Sequence, residues 1–221
     1  MNRVLIIVGL FISLISCESP TKTQDFVVIG GGLMGSSAGW QLSKNGAKVL
    51  LIEQQDSIYT FGSSFGESRI SRSLGAQGDI MSFLQQRSVV ETKELIEYLN
   101  ESDSGMRHFM EDIYQTSPVT YIRYKSQKEE LNILLQEQQD TYEYAPDRET
   151  ARTLLGMEIP DSVTIIREYK QYSGTLNPKI LISKNLKEIT HAGSIILYNE
   201  KVISLKKINE LYEIEIENTK T

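Results

Sequence analysis

Gly30, Gly32 and Gly35 stand in the run Gly30-Gly31-Gly32-Leu33-Met34-Gly35, and Glu53 closes an apolar stretch further along. The glycines read as G-x-G-x-x-G, a spacing whose chemistry is the cradling of a pyrophosphate. Gly30 lets the chain turn tightly, and Gly32 lets the backbone approach phosphate oxygens. Gly35, with Gly39 one turn on, lets a helix pack closely on a strand. The phosphates then rest on unpaired N–H groups at the positive end of the helix dipole. At the tip of a strand, the Glu53 carboxylate can accept hydrogen bonds from both ribose hydroxyls of an adenosine. Its charge disfavours a 2′-phosphate, which argues against NADP. FAD and NAD both satisfy these residues.

The elements that must hold this set are legible around it. Phe26–Ile29 is a short apolar, β-branched run and reads as a fully buried strand. A helical pattern follows to about Asn45, with Leu33, Met34, Ala38 and Leu42 on one apolar stripe and Gly46 as the stop. Lys48–Glu53 is a second buried strand with the acid at its end. Strand, glycines, helix, strand and acid form a βαβ unit. The plainer alternative, a glycine-rich turn in an ordinary α/β domain, lacks this full context.

Arg69 and Arg72 form the second candidate set, in the glycine- and serine-rich segment Ser57–Leu74, which reads as a loop. If the segment is helical at that point, both guanidinium groups lie near one face. Leaving the second strand, the loop lies on the edge where nucleotide folds bind ligands, and the arginines suit an anionic partner there. A solvated basic turn is the equal alternative. His108 and His191 are isolated, so no metal site and no Ser-His-Asp arrangement is expected.

Here a resemblance becomes specific. Gly62-Ser63-Ser64-Phe65-Gly66-Glu67-Ser68-Arg69-Ile70-Ser71-Arg72 resembles the loop after the second strand in the D-amino-acid-oxidase-like family of FAD enzymes, in the branch of monomeric sarcosine oxidase and N-methyltryptophan oxidase. The resemblance implies FAD as cofactor, Ser68 and Arg69 beside the flavin ring, and Arg72 gripping a substrate carboxylate. Arg69 and Arg72 are therefore the expected catalytic residues. Phe65 departs from the family, whose sarcosine oxidases often carry His there. The family also implies a backbone contact from Val202 to the adenine, and reads the loop Tyr172–Leu176 with Asn177-Pro178 as the return from substrate domain to cofactor domain, a segment whose Gly174 and Pro178 on their own read as an ordinary turn.

The remaining periodicities fill in a mixed α/β insertion. Ser82–Glu101 reads as an amphipathic helix with Phe83, Val90, Ile96 and Leu99 inward. Extended runs are expected at His108–Tyr114 and Val119–Tyr124, then a helix at Gln127–Gln139 burying Leu131, Leu134 and Leu135. Thr141–Tyr144 and Ser162–Glu168 read as strands around a helical Asp147–Leu155. Lys179–Ala192 is the next helix, with Ile182, Leu186 and Ile189 buried and Gly193 as its cap. Ser194–Tyr198, Val202–Leu205 and the alternating, half-buried Leu211–Glu217 are the last strands. The expected organisation is 25–78 for the first part of a Rossmann-like FAD-binding domain, 79–172 for part of a substrate domain, and 173–221 for a return to the first.

The chain has 221 residues and a net charge of −6, with acids and bases interspersed, so a nucleic-acid partner is not expected. Residues 1–17 carry one arginine, an apolar run too short to span a bilayer, and Cys17, the only cysteine. They read as a secretory signal whose end resembles the bacterial lipobox, with 18–24 as a tether. A buried structural thiol is the alternative for Cys17. The localisation expected is an exported, membrane-anchored bacterial lipoprotein, periplasmic or on the outer surface.

The resemblance covers nearly all of Asp25–Thr221 but only about the first half of a family member. A sheet cut there exposes unpaired edges and apolar surface. The expectation is a fragment, an interrupted gene, or a chain completed by a second one. The implied activity is oxidation of a C–N bond in a secondary amine or amino acid, with oxygen or an electron carrier taking the electrons. An NAD-dependent dehydrogenase and an inactive lipoprotein with a nucleotide fold are the alternatives.

Overall fold

Parallel strands stacked side by side need a helix crossing between them, and the first unit of the chain supplies one. In the computed structural model, which describes residues 23–57, 62–63, 66–74, 80–102, 110–137, 141–156 and 158–220, β1 (Phe26–Ile29) leads through the glycines into α1 (Leu33–Lys44) and back to β2 (Val49–Glu53). Strand β2 lies between β1 and the later β9 (Ile195–Tyr198), parallel to both, with Ile52 opposite Ile29 on one side and Leu197 on the other. The central strand is nearly all buried, as a strand with neighbours on both edges should be.

Two expectations fail here in an instructive way. β1 is an edge strand, and Phe26, Val27 and Ile29 are 37–54% exposed rather than fully buried. In α1 the inward stripe is Ser36, Gly39, Trp40 and Ser43, while Met34 and Ala38 face outward. Small residues face inward because α1 packs against α6 (Pro178–His191) at close range. A Cβ on Gly39 would sit 2.8 Å from the Ile189 side chain of α6. Asn185 of α6 donates to the Ser37 hydroxyl at 3.2 Å in the same seam. The hydroxyls of Ser43 and Ser194, 2.8 Å apart, join α1 to the start of β9.

The long helix α2 (Ile80–Ser102) closes this core with Val89, Leu95, Ile96 and Leu99. Ile96 and Leu99 are inward as read from sequence, but Phe83 and Val90 are exposed. Trp40 meets Tyr98 of α2 with ring centroids 5.1 Å apart, and Gln41 of α1 donates to Glu91 at 3.0 Å.

The intervening chain makes two further antiparallel sheets. The first is β3 (Arg69–Ser71), β8 (Gly174–Leu176) and β4 (Tyr114–Thr116), with β8 central. Residues 66–74 are therefore not loop throughout, and Gly174–Leu176 is a strand rather than a turn. Gly174 is required there, because a Cβ would collide with the Gln115 carbonyl. Residues 110–113, expected extended, form the short helix α3 (Met110–Ile113), and the strand begins only at Tyr114.

The second sheet is β5 (Thr120–Tyr124), β7 (Val163–Glu168) and β6 (Tyr142–Ala145), again with the later strand central. Leu131 of α4 (Lys128–Glu137) packs with Tyr121, Tyr142 and Ile166. Ala151 of α5 (Arg148–Leu155) packs with Ala145, Val163 and Ile165. Helix α5 has an Asp147 N-cap and left-handed Gly156 at its end, and α6 has an Asn177 N-cap followed by Pro178.

The chain ends in a two-stranded hairpin, β10 (Glu200–Ile208) and β11 (Leu211–Asn218). The alternation expected of β11 is present, but its burial is not. Leu211 and Tyr212 are more than 60% exposed, because no third layer of the described residues covers either face.

Candidate functional site

Leaving β1, the chain reverses at Gly30, whose φ of +95° is in the left-handed region that glycine adopts without strain. The Gly30 N–H donates to the Ile52 carbonyl at 2.8 Å, so the turn is pinned to β2. Gly32 is the N-cap of α1 and has no side chain to bond the first-turn amides, and no acid lies in that turn. A Cβ on Gly30 or Gly32 would meet nothing within 4 Å, so open space faces the helix N-terminus. Gly35 differs. A Cβ there would collide with the Gly30 carbonyl oxygen and lie 3.4 Å from Val28, so this glycine exists for packing.

Glu53 stands beside the turn, at the end of β2 and only 3% exposed. The Gly31 N–H donates to Oε2 at 2.7 Å and the Gln55 N–H to Oε1 at 2.9 Å. A buried carboxylate needs such donors. They fix it against the mouth of the glycine turn, where each oxygen retains lone-pair capacity for a further donor. Tyr198, opposite Glu53 in the β2–β9 register, has its hydroxyl pushed up by burial and then by the Glu53 charge. Sequence reading missed Tyr198, whose signal is only its place as the last residue of a parallel neighbour. Open space, uncapped amides and a held acid together fit a nucleotide diphosphate with a free ribose.

Arg69 and Arg72 do not share a face. β3 is a strand that ends at Ser71, which sets the helical option aside, and the two guanidinium groups have different partners. Arg69 folds back on its own segment: Nε and Nη2 donate to the Ser63 carbonyl at 2.9 and 2.6 Å, and Nη1 to the Ser68 carbonyl at 2.7 Å. Gly66, with φ +139°, makes room, since a Cβ would lie 2.7 Å from Nη1. Ser68 is exposed.

Arg72 is exposed and reaches the other sheet, its guanidinium 5.8 Å from the ring centroid of Tyr121 on β5. Arg123 lies at the same distance from that ring. Behind it is Glu168, fully buried at the end of β7. Glu168 accepts from the Ser73 N–H at 2.8 Å, the Ser73 hydroxyl at 2.6 Å and the Tyr121 hydroxyl at 3.0 Å. Burial first, then the Glu168 charge, pushes the Tyr121 hydroxyl above the ordinary tyrosine range, while Arg72 opposes that shift. The sequence marks Glu168 only as the end of a strand and Tyr121 only as part of the extended run Val119–Tyr124.

Val202 lies on β10 opposite Ile216, next to an irregularity in the ladder. The hairpin is tied to the tip of β2, since the Asn199 N–H donates to the Gln55 carbonyl and the Thr219 hydroxyl to that of Gln54, both at 2.9 Å. The structure thus brings Gly30, Gly32, Gly35, Glu53 and the base of the Val202 hairpin to one end of the parallel sheet. Arg69 and Arg72 belong to a different sheet, entered after Glu53. Cys17, Ser64, Phe65 and His108 lie outside the described residues. Among the described residues no cluster of His, Cys, Asp and Glu could hold a metal, and no helix is long and apolar enough to cross a membrane.

Turn, helix end and acid define a dinucleotide-binding α/β protein. The profile of one family, the FAD dependent oxidoreductases abbreviated DAO, matches residues 25–220, and the chain belongs to that family. Its cofactor is FAD, which decides between the two nucleotides the glycine motif allows. Over 54 residues the chain is 44% identical to monomeric sarcosine oxidase of a Bacillus species, covering 24% of this chain and 14% of that protein. Over 188 residues it is 25% identical to N-methyl-L-tryptophan oxidase of Yersinia pestis, covering 82% and 46% respectively.

Among solved structures, NikD, an amino acid oxidase of nikkomycin biosynthesis, superposes with a TM-score of 0.65 at 18% identity, over 89% of this chain and 48% of that one. Glycine oxidase of Bacillus cereus gives 0.62 at 20% identity, over 85% and 49%. The fold is therefore that of the FAD-dependent amino acid oxidases. The chain spans less than half the length of these longer matches.

Proposed function

We propose that this chain carries the nucleotide-binding half of an oxidoreductase that oxidises the C–N bond of a secondary amine or amino acid bearing a carboxylate. The observation that carries the reading is the buried Glu53 held 2.7 Å from the Gly31 amide beside an uncapped helix N-terminus. The likeness to sarcosine and N-methyltryptophan oxidases supports the substrate class.

Gly30 and Gly32 admit the pyrophosphate to the first-turn amides of α1, and Glu53 takes the ribose hydroxyls. Val202 offers its backbone to the adenine. Arg69 and Ser68 would lie on the flavin side of the bound cofactor, and Arg72 would take the substrate carboxylate through a charge-assisted pair. Bound FAD supplies the two-electron acceptor for the hydride of the C–N carbon, and the resulting imine hydrolyses in water to a carbonyl compound. Oxygen or an electron carrier is the terminal acceptor.

Titration of the purified protein with FAD, followed by flavin absorbance after gel filtration, tests the first step. Retained flavin in the wild type and its loss in Gly32→Val is the expected result, and no retention by the wild type overturns the cofactor reading for this chain. Peroxide or dye reduction with N-methyl amino acids then tests the substrate class.

A second reading, a nucleotide fold without catalysis, is favoured by the exposed apolar residues of β1 and of the terminal hairpin. Flavin retention without turnover, even beside a polypeptide that covers those faces, is its signature. We further propose that Cys17 is lipidated and anchors the exported protein to a membrane. Detergent-phase partitioning that disappears in Cys17→Ser checks this, and unchanged partitioning sinks it.

A further inference from the structure

We infer that Glu168 is the positioning residue for Arg72, fixing both the backbone that carries the guanidinium and the aromatic ring on which it lies. The inference rests on the reading of Arg72 as the carboxylate grip only for its functional consequence. Its structural content stands alone.

The arrangement is unusual in cost. Glu168 is a carboxylate with no exposed surface, and an unpaired charge in such a place is strongly unfavourable. Three donors compensate. Oε1 takes both donors of Ser73, the residue after Arg72, at 2.8 and 2.6 Å. Oε2 takes the Tyr121 hydroxyl at 3.0 Å. One side chain on β7 thus clamps the end of the β3 segment and the ring of β5 together. Ser73 is gripped further by Gln86 of α2, which donates to its carbonyl at 3.2 Å, and Leu74 is buried in the core beneath.

Arg72 itself is exposed, and among the described residues no carboxylate pairs with it. A long, solvated arginine has many rotamers, and ordering it costs entropy. What restricts it is the pinned Ser73 on one side and the Tyr121 face on the other, with cation–π attraction at 5.8 Å. Glu168 also places a negative charge behind the ring, opposite in sign to Arg72, and both charges act on the Tyr121 hydroxyl. Glu168→Gln removes that charge and leaves one acceptor oxygen in place of two, so the amide keeps either the Ser73 donors or the Tyr121 hydroxyl but not both, and the guanidinium loses one side of its seat without any change in Arg72.

The test is the Nε–Hε resonance of Arg72 in the full chain, assigned by its absence in Arg72→Lys. In the wild type it should carry an upfield ring-current shift from Tyr121, whose ring lies 5.8 Å from the guanidinium. Glu168→Gln and Ser73→Ala should both move it toward the value of a free arginine, and Ser73→Ala, which removes only a hydroxyl, guards against failure of the first variant to fold. A resonance unmoved in both variants overturns the inference. Acetate titration then separates this from the function of Arg72. If Arg72 grips carboxylates, acetate binds the wild type, roughly 10-fold more weakly in Glu168→Gln, the loss expected for a displaced charge-assisted bond. If acetate binds Arg72→Lys as it binds the wild type, the carboxylate grip is wrong while the resonance shift still decides the role of Glu168.

Discussion

The glycine turn at residues 30–35 and the arginine segment at residues 66–73 each offer positive groups to an anion, but they are built by opposite means. The turn is local. Its donors are backbone amides, its geometry follows from glycines at fixed spacing, and its partners Glu53 and the Ile52 carbonyl come from the very next strand. The arginine segment is assembled from afar. Ser73 is held by Glu168, 95 residues later, and Arg72 lies on Tyr121 of another sheet. A site made of backbone is robust to side-chain change and brittle to volume, whereas a site made of distant side chains is the reverse.

The sharpest way to break that contrast is one substitution made at two glycines. Gly35→Val drives a side chain into the Gly30 carbonyl and should cost about 3 kcal/mol or more, seen in urea denaturation followed by circular dichroism. Gly32→Val enters open space and should change stability by about 1 kcal/mol at most while abolishing flavin retention. Equal stability losses at both positions would erase the division between a packing glycine and a binding one.

In the arginine segment the expected effect is on chemistry rather than on folding. Arg72→Ala, in a flavin-loaded and active protein, should lower kcat/KM for carboxylate substrates about 10- to 100-fold, the range for losing a charge-assisted hydrogen bond. Its melting temperature should scarcely move, because the side chain is exposed. Unchanged turnover would reduce Arg72 to a solvated surface group.

The buried hydroxyl beneath it gives a pH signature. Tyr121 is faced by Glu168 from β7, by Arg72 after β3, and by Arg123 from its own strand. Its folded value lies above the ordinary one, so the folded state holds the proton where the unfolded chain has begun to lose it. The corresponding stability is complete below about pH 10 and declines as pH rises beyond it. Tyr121→Phe should flatten that alkaline decline in pH-dependent thermal melts. A decline of the same slope in the variant would assign it to other tyrosines.

The smallest effect expected is at the joint between the two regions, where β8 passes into α6. Asn177 caps that helix by accepting from the Ile180 N–H at 3.2 Å, and Asn177→Ala should cost about 1 kcal/mol in denaturant melts. Unaltered stability would mean that Pro178 and the packing of α6 set the helix start alone.

Much of this molecule was readable without coordinates. The unit Phe26–Glu53, the helix ended at Gly193 and the strands after it are each announced by a short-range pattern: β-branched runs, glycines at stops, 3.6-residue spacing. What misled were inferences of burial. Met34 is apolar and outward while Ser36 is polar and inward, because the neighbour of α1 is another helix at close approach. Phe26 and Ile29 look like core and are exposed, because among the described residues β1 has no strand on its outer edge. Gly174 read as a turn and is the middle of a sheet, since its need for smallness comes from Tyr114 and Gln115, far away in the chain.

By itself, then, the sequence determined the nucleotide turn and the acid beside it, since spacing along one strand and one helix specifies those directly, whereas the arginines after it were singled out by the family resemblance and not by their spacing. Only the tertiary structure decided that Arg69 and Arg72 part company, that Tyr198 stands opposite Glu53, and that Glu168 underlies Arg72. Those relations join strands that are distant in sequence, and which buried donor meets which buried acceptor is settled by how sheets are ordered, a choice no local pattern encodes.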